Sequence, residues 1–113
     1  MTKTAQMTTI TETPGRPLDV NTLWNDHVDR WTWIGMGARP VVRTTDHLSI
    51  DIFLGAGTRK RRLIIKLNAN DLYDIEIGRL HRRSLDWIID GQTLDVGAES
   101  LDASLRGLYD SLT

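Results

Sequence analysis

Three short runs in the middle of the chain alternate apolar and polar residues, and that pattern leaves the backbone little choice but a sheet. Leu48, Ile50, Ile52 and Leu54 recur at every second position, as do Leu63, Ile65 and Leu67, and then Tyr73, Ile75 and Ile77. Successive side chains of a strand point to opposite faces, so each run reads as a strand with one buried face. Between the runs stand Gly55 and Gly57, then Asn68, Asn70 and Asp71, residue types that suit tight turns. Consecutive antiparallel strands are the economical connection. Asp74 and Glu76 fall between the apolar positions of the third run and are expected to face outward.

The flanks are helical in part. Asp19 or Asn21 suits an N-cap, and Leu23, Trp24, His27, Val28 and Trp31 recur at helical spacing, which predicts a short helix over 21–30. Residues 31–36 are β-prone and read as a strand, with Gly37, Ala38, Arg39 and Pro40 punctuating it. Residues 85–89 read as a further strand ended by Asp90 and Gly91. Ala98, Leu101, Leu105, Leu108 and Leu112 predict an amphipathic helix over 95–112, packed on the apolar face of the sheet. Residues 1–17 are threonine-rich with few large apolar side chains and read as a flexible tail, leaving 18–113 as a single domain. The expected fold is therefore α+β: a short N-terminal helix, an antiparallel β-meander of about four to five strands, and a C-terminal amphipathic helix.

Charge is unevenly spread. Residues 39–83 carry ten Lys and Arg against five Asp and Glu, whereas residues 84–113 sum to −5 and residues 1–38 to −1, for a net charge of −1. The cations cluster at Arg59, Lys60, Arg61 and Arg62 and again at Arg79, His81, Arg82 and Arg83. If the hairpin turns near residues 69–70, paired positions sum to about 139–140, and both clusters meet at the same end of one hairpin. Like charges opposed across strands each cost about a few tenths of a kcal/mol, a repulsion that a ligand bearing several phosphates would relieve. A solvated sheet end, salt-bridged to the acidic C-terminal helix, is the plainer alternative.

Four tryptophans stand in this short chain. Trp24 and Trp87 are expected in the core. If 31–36 is a strand, Trp31 and Trp33 share one face, and an exposed pair would mark a protein interface or a homodimer contact. His27, His47 and His81 have no metal-ligand spacing, Gly35/Gly37 and Gly55/Gly57 lack the context of a phosphate-binding loop, and no serine sits in a nucleophile elbow. The expectation is a binding protein, not an enzyme, with no cofactor. With no cysteine, no apolar run of membrane-spanning length and no leader pattern, an intracellular location away from membranes is expected.

The run Leu67-Asn68-Ala69-Asn70-Asp71-Leu72-Tyr73-Asp74 is similar to a stretch in small uncharacterised accessory proteins of actinobacterial tailed phages and related mobile elements. Gly37-Ala38-Arg39 before it, and Asp95–Leu101 and Gly107-Leu108-Tyr109 after it, extend the resemblance over roughly residues 21–113. Gly97 departs from the pattern, which has an aromatic there. The resemblance implies a phage accessory protein acting in the cytoplasm of a bacterial host. The first expectation is non-covalent binding to a host protein or to a second copy of the chain, through the face near Trp31 and Trp33; the alternatives are a nucleic acid or a phosphate-rich nucleotide at the basic end, and a minor role in the virion.

Overall fold

The structure, a computed structural model, describes residues 9–12, 15–17, 19, 22–23, 27–43 (backbone only over 40–43), 47–55 and 59–112. Five strands run in order, each antiparallel to the next: β1 (Arg39–Arg43), β2 (Leu48–Leu54), β3 (Arg59–Leu67), β4 (Tyr73–Leu80) and β5 (Trp87–Val96). The meander is thus as the alternating runs require, and a closing helix α2 (Leu101–Leu112) follows a 3-10 turn at Ala98–Ser100. The register places Ile50 opposite Leu63 and Leu63 opposite Ile77, with Leu48, Ile65 and Ile75 forming the next row. All six are at most 1% exposed, and Leu101 and Leu105 of α2 join the same cluster. Gly91, opposite Ile77, lets α2 approach closely, since a Cβ there would lie 2.7 Å from Leu108 Cδ1.

Residues 31–36 do not form a strand. They belong to a six-residue helix, α1 (Arg30–Gly35), capped by Asp29, whose carboxylate accepts from the amide and hydroxyl of Thr32. Gly37 follows at φ +91° and closes the helix end with a bond from its amide to Ile34 O. The fifth strand comes instead from Arg39–Arg43, where Gly37 to Pro40 had suggested only punctuation. Pro40 is tolerated because β1 is an edge strand with a bulge between Pro40 and Val42. Of the helix expected over 21–30, residues 21 and 24–26, Trp24 among them, lie outside the described residues, while Leu23 and Val28 join the apolar core. Asp19 does make the expected capping contacts, accepting from Thr22 N at 3.1 Å and Thr22 Oγ1 at 3.0 Å.

Of the threonine-rich segment, Thr9–Glu12, Gly15 and Arg16 lie against the sheet instead of forming a free tail. Ile10, in a 3-10 turn, is 1% exposed, Gly15 bridges to Asn68, and Arg16 N donates to Leu67 O at 2.9 Å. The face it covers is the one opposite α2, and it is polar. Asp74 and Glu76, expected outside, are therefore buried. Glu76 is sealed from solvent and accepts four hydrogen bonds: from Thr9 Oγ1 (2.6 Å), Ile10 N (3.0 Å), Trp87 Nε1 (2.7 Å) and Gln92 Nε2 (2.8 Å). A buried carboxylate is tolerable only with such a set of donors. Trp87 accordingly lies half-buried on this face, away from the apolar core cluster.

The β3–β4 turn is organised by Asn68. Its Oδ1 accepts from Asn70 N and Leu72 N, and its Nδ2 donates to Asp74 and to Asp95. Asp71 takes the left-handed conformation at φ 62° that asparagine and aspartate tolerate best after glycine. In the run Leu67–Asp74, one buried amide thus fixes the turn and, through it, the register of the hairpin.

A candidate anion-binding cleft

That register decides the site. Arg62 pairs with Gly78 and Leu63 with Ile77, so paired positions sum to 140 and both cationic segments arrive at one end of the β3–β4 hairpin. There they line an open cleft of about 730 Å³. Arg59, Lys60, Arg61 and Arg62 come from β3, and Arg79, His81 and Arg82 from the end of β4 and the turn after it. Arg83 is exposed on that turn but does not line the cleft.

Two carboxylates hold the cations in place, both on strands and neither on α2. Asp51 of β2 stands directly opposite Arg62 in register, and alternation puts Lys60 and Arg62 on its side of the sheet. Lys60 Nζ lies 3.4 Å from Asp51 Oδ2, and Arg62 Nη2 lies 3.2 Å from Oδ1. Arg61 points the other way and meets Asp90. The β4–β5 ladder slips between Ile77 and Gly78, so Asp90 is an extra residue with no partner opposite it. Such a bulge re-aims a side chain, and here Asp90 reaches both Arg79 and Arg61. Arg61 Nε is 2.9 Å from Asp90 Oδ2, near enough for charge attraction but too oblique for a hydrogen bond, so both atoms are buried without one.

Six Lys and Arg side chains line the cleft against the single carboxylate of Asp51, a net +5, or +4 once Asp90 behind them is counted. Arg59 and Arg82 make no ion pair among the described residues, and both are exposed. The arrangement offers fixed positive charge in a concave, partly desolvated setting, which is what binding of a multivalent anion needs.

The other expected site divides. Trp31 and Trp33 lie two residues apart on a helix, not a strand, and therefore point to different sides. Trp33 is 2% exposed, donates from Nε1 to Asp102 Oδ1 at 3.1 Å, and meets Tyr109 edge-on at 5.4 Å. Trp31 is 70% exposed beneath the guanidinium of Arg30, with Ile34 and Met36 also exposed nearby in the chain. Three residues that line the cleft lie outside the two cationic clusters, and one of them, Trp87, is expected in the core instead. Asp51 follows from the register, Leu80 from its place at the strand end, and Trp87 from pairing with Leu80 across β4–β5.

Among the described residues no helix is long and apolar enough to cross a membrane. Comparison with protein-family models, with curated proteins and with solved structures finds no match for this chain.

Proposed function

We propose that the protein works by non-covalent binding of a phosphate-rich ligand, a nucleic acid or a nucleotide, in the cleft between Arg59 and Arg82, as an accessory protein of the phage type its turn resembles. One observation carries this reading: six cations converge on one concavity with only two carboxylates to balance them. A solvated sheet end needs no such convergence, and it leaves the repulsion of an unbalanced +4 unrelieved. A ligand whose phosphates engage four of these cations on a single strand should show log affinity falling against log salt with a slope of about −3. Between low and physiological salt, a fourfold rise, binding should weaken about fifty-fold.

The test is titration of a single-stranded oligonucleotide at several salt concentrations, followed by anisotropy. Arg59→Glu with Arg82→Glu reverses two exposed cations that hold no ion pair among the described residues, so the fold is expected to survive, as an unchanged unfolding midpoint would verify. Binding should be lost. Equal affinity in parent and double variant, or no salt dependence, would overturn the reading.

A second reading has an observation of its own. Trp31, Ile34 and Met36 are large apolar side chains left at least 40% exposed on and beside one short helix, which suits a host protein or a second copy of the chain. It is the weaker reading, because the buried Trp33 removes half of the expected anchor. Sedimentation of parent and Trp31→Ser measures the homodimer form of it: a dimer abolished by the substitution supports it, and a monomer in both excludes it.

A further inference from the structure

Beside the basic cleft lies a second, smaller pocket of about 240 Å³, and the two share Arg62, Leu80 and Trp87 as a common wall. We infer that the ligand carries a nucleobase as well as phosphates, with the base in this second pocket against Trp87 and the phosphates in the basic cleft; the inference rests on the anion-binding reading above. The pocket is large enough to seat a flat heterocycle. Ile64, Leu80 and Trp87 give it apolar surface, while Thr9, Thr11, His47 and Ser49 add polar side chains to its lining. That combination fits a ring with an apolar face and a hydrogen-bonding rim. It does not fit a bare polyphosphate, which would leave the apolar surface unused.

Trp87 is built to stay in position. Its Nε1 is tied to Glu76 Oε2 at 2.7 Å, and its ring lies over Gly78, where even a methyl group would come within 2.6 Å of Cζ2. A pre-set indole loses little freedom when a base stacks on it. Arg62 stands where the two pockets meet, so its guanidinium can contact the phosphate nearest the base.

Calorimetric titration with inorganic tripolyphosphate, adenosine triphosphate and a short single-stranded oligoadenylate tests this. Stacking on one aromatic contributes roughly 5- to 150-fold in affinity, so the base-bearing probes should exceed tripolyphosphate by a factor in that range. Trp87→Ala should lower the affinity of the base-bearing probes far more than that of tripolyphosphate and so close most of the gap, and Trp87→Phe should keep most of it. Because Trp87→Ala also strips a donor from Glu76, Leu80→Ala at an exposed position serves as the second variant and should narrow the same gap. Oligoadenylate binding tighter than adenosine triphosphate supports a strand, and parity supports a free nucleotide. Tripolyphosphate binding as tightly as both overturns the inference and leaves the basic cleft standing; no binding by any probe overturns both.

Discussion

Replacing Glu76 by glutamine changes one atom in the most enclosed polar site of the fold, and the consequence follows from its four donors. Oε1 accepts from Ile10 N and Gln92 Nε2, while Oε2 accepts from Thr9 Oγ1 and Trp87 Nε1. Glutamine keeps one oxygen and turns the other into an NH2 group that faces two donors. On the Oε2 side the Thr9 hydroxyl can rotate and accept, but the indole N–H of Trp87 cannot. On the Oε1 side the Gln92 amide can flip, but the backbone amide of Ile10 cannot. Either way one buried donor is orphaned, at about 1–3 kcal/mol, and the bonds that remain lose their charge assistance. A neutral amide is cheaper to bury than a carboxylate, which offsets part of this. The net expectation for Glu76→Gln is a loss of about 2–4 kcal/mol, a large share of the ~5–15 kcal/mol that holds a domain of this size. Urea unfolding with linear extrapolation measures it. Should the segment around Ile10 detach instead, the loss is limited to its docking energy and the m-value falls, because the native state then buries less. A loss under about 0.5 kcal/mol, within the range of ordinary surface substitutions, would refute the view that this carboxylate ties the N-terminal segment to the sheet.

Four further outcomes are expected. Ile10→Ala should cost about 2–3 kcal/mol in the same assay, the lower end for a buried isoleucine because the segment lies at the periphery. Gly78→Ala should cost about 1–3 kcal/mol and change the Trp87 fluorescence, since the new Cβ would sit 2.5 Å from Ile88 O. Asp29 is held below its ordinary value of 3.8, first by the Thr32 hydroxyl, with the Thr32 amide and Arg106 adding and desolvation opposing. A lowered folded value means the contribution is complete above 3.8 and is lost as pH falls through the folded value, so the stabilities of the parent and Asp29→Asn should converge there on acid titration. Asp51→Asn releases Lys60 and Arg62 from their carboxylate and should raise tripolyphosphate affinity roughly three- to tenfold, measured by calorimetry.

The sheet was legible because its signal is strong: period-two alternation over 48–54, 63–67 and 73–77, with a turn whose residues choose their own geometry. The hairpin register implied by that turn already brings Arg59–Arg62 and Arg79–Arg82 together. What stayed hidden shares one cause, burial by polar groups, to which apolar periodicity is blind. Thr9 to Arg16 holds one large apolar residue in the described part, Ile10, so its composition reads as a tail; it docks by offering a hydroxyl and an amide to Glu76. Asp74 and Glu76 looked outward because their alternation with Ile75 and Ile77 is perfect, yet both faces of β4 are covered. At six residues α1 is too short for helical spacing to outweigh its β-prone composition, and its stability comes from Asp29 at one end and from Trp33 docking on Asp102 and Tyr109. The bulge at Asp90 depends on pairing with β4 and is invisible in β5 alone.

The convergence of cations on one sheet end is tested most directly by amide chemical-shift mapping of the isotope-labelled protein during titration with a short single-stranded oligonucleotide. Saturable shifts confined to residues 59–62, 79–82 and Trp87 are expected. Shifts centred on Trp31, Ile34 and Met36, or no saturable shifts at all, would contradict a phosphate-binding cleft.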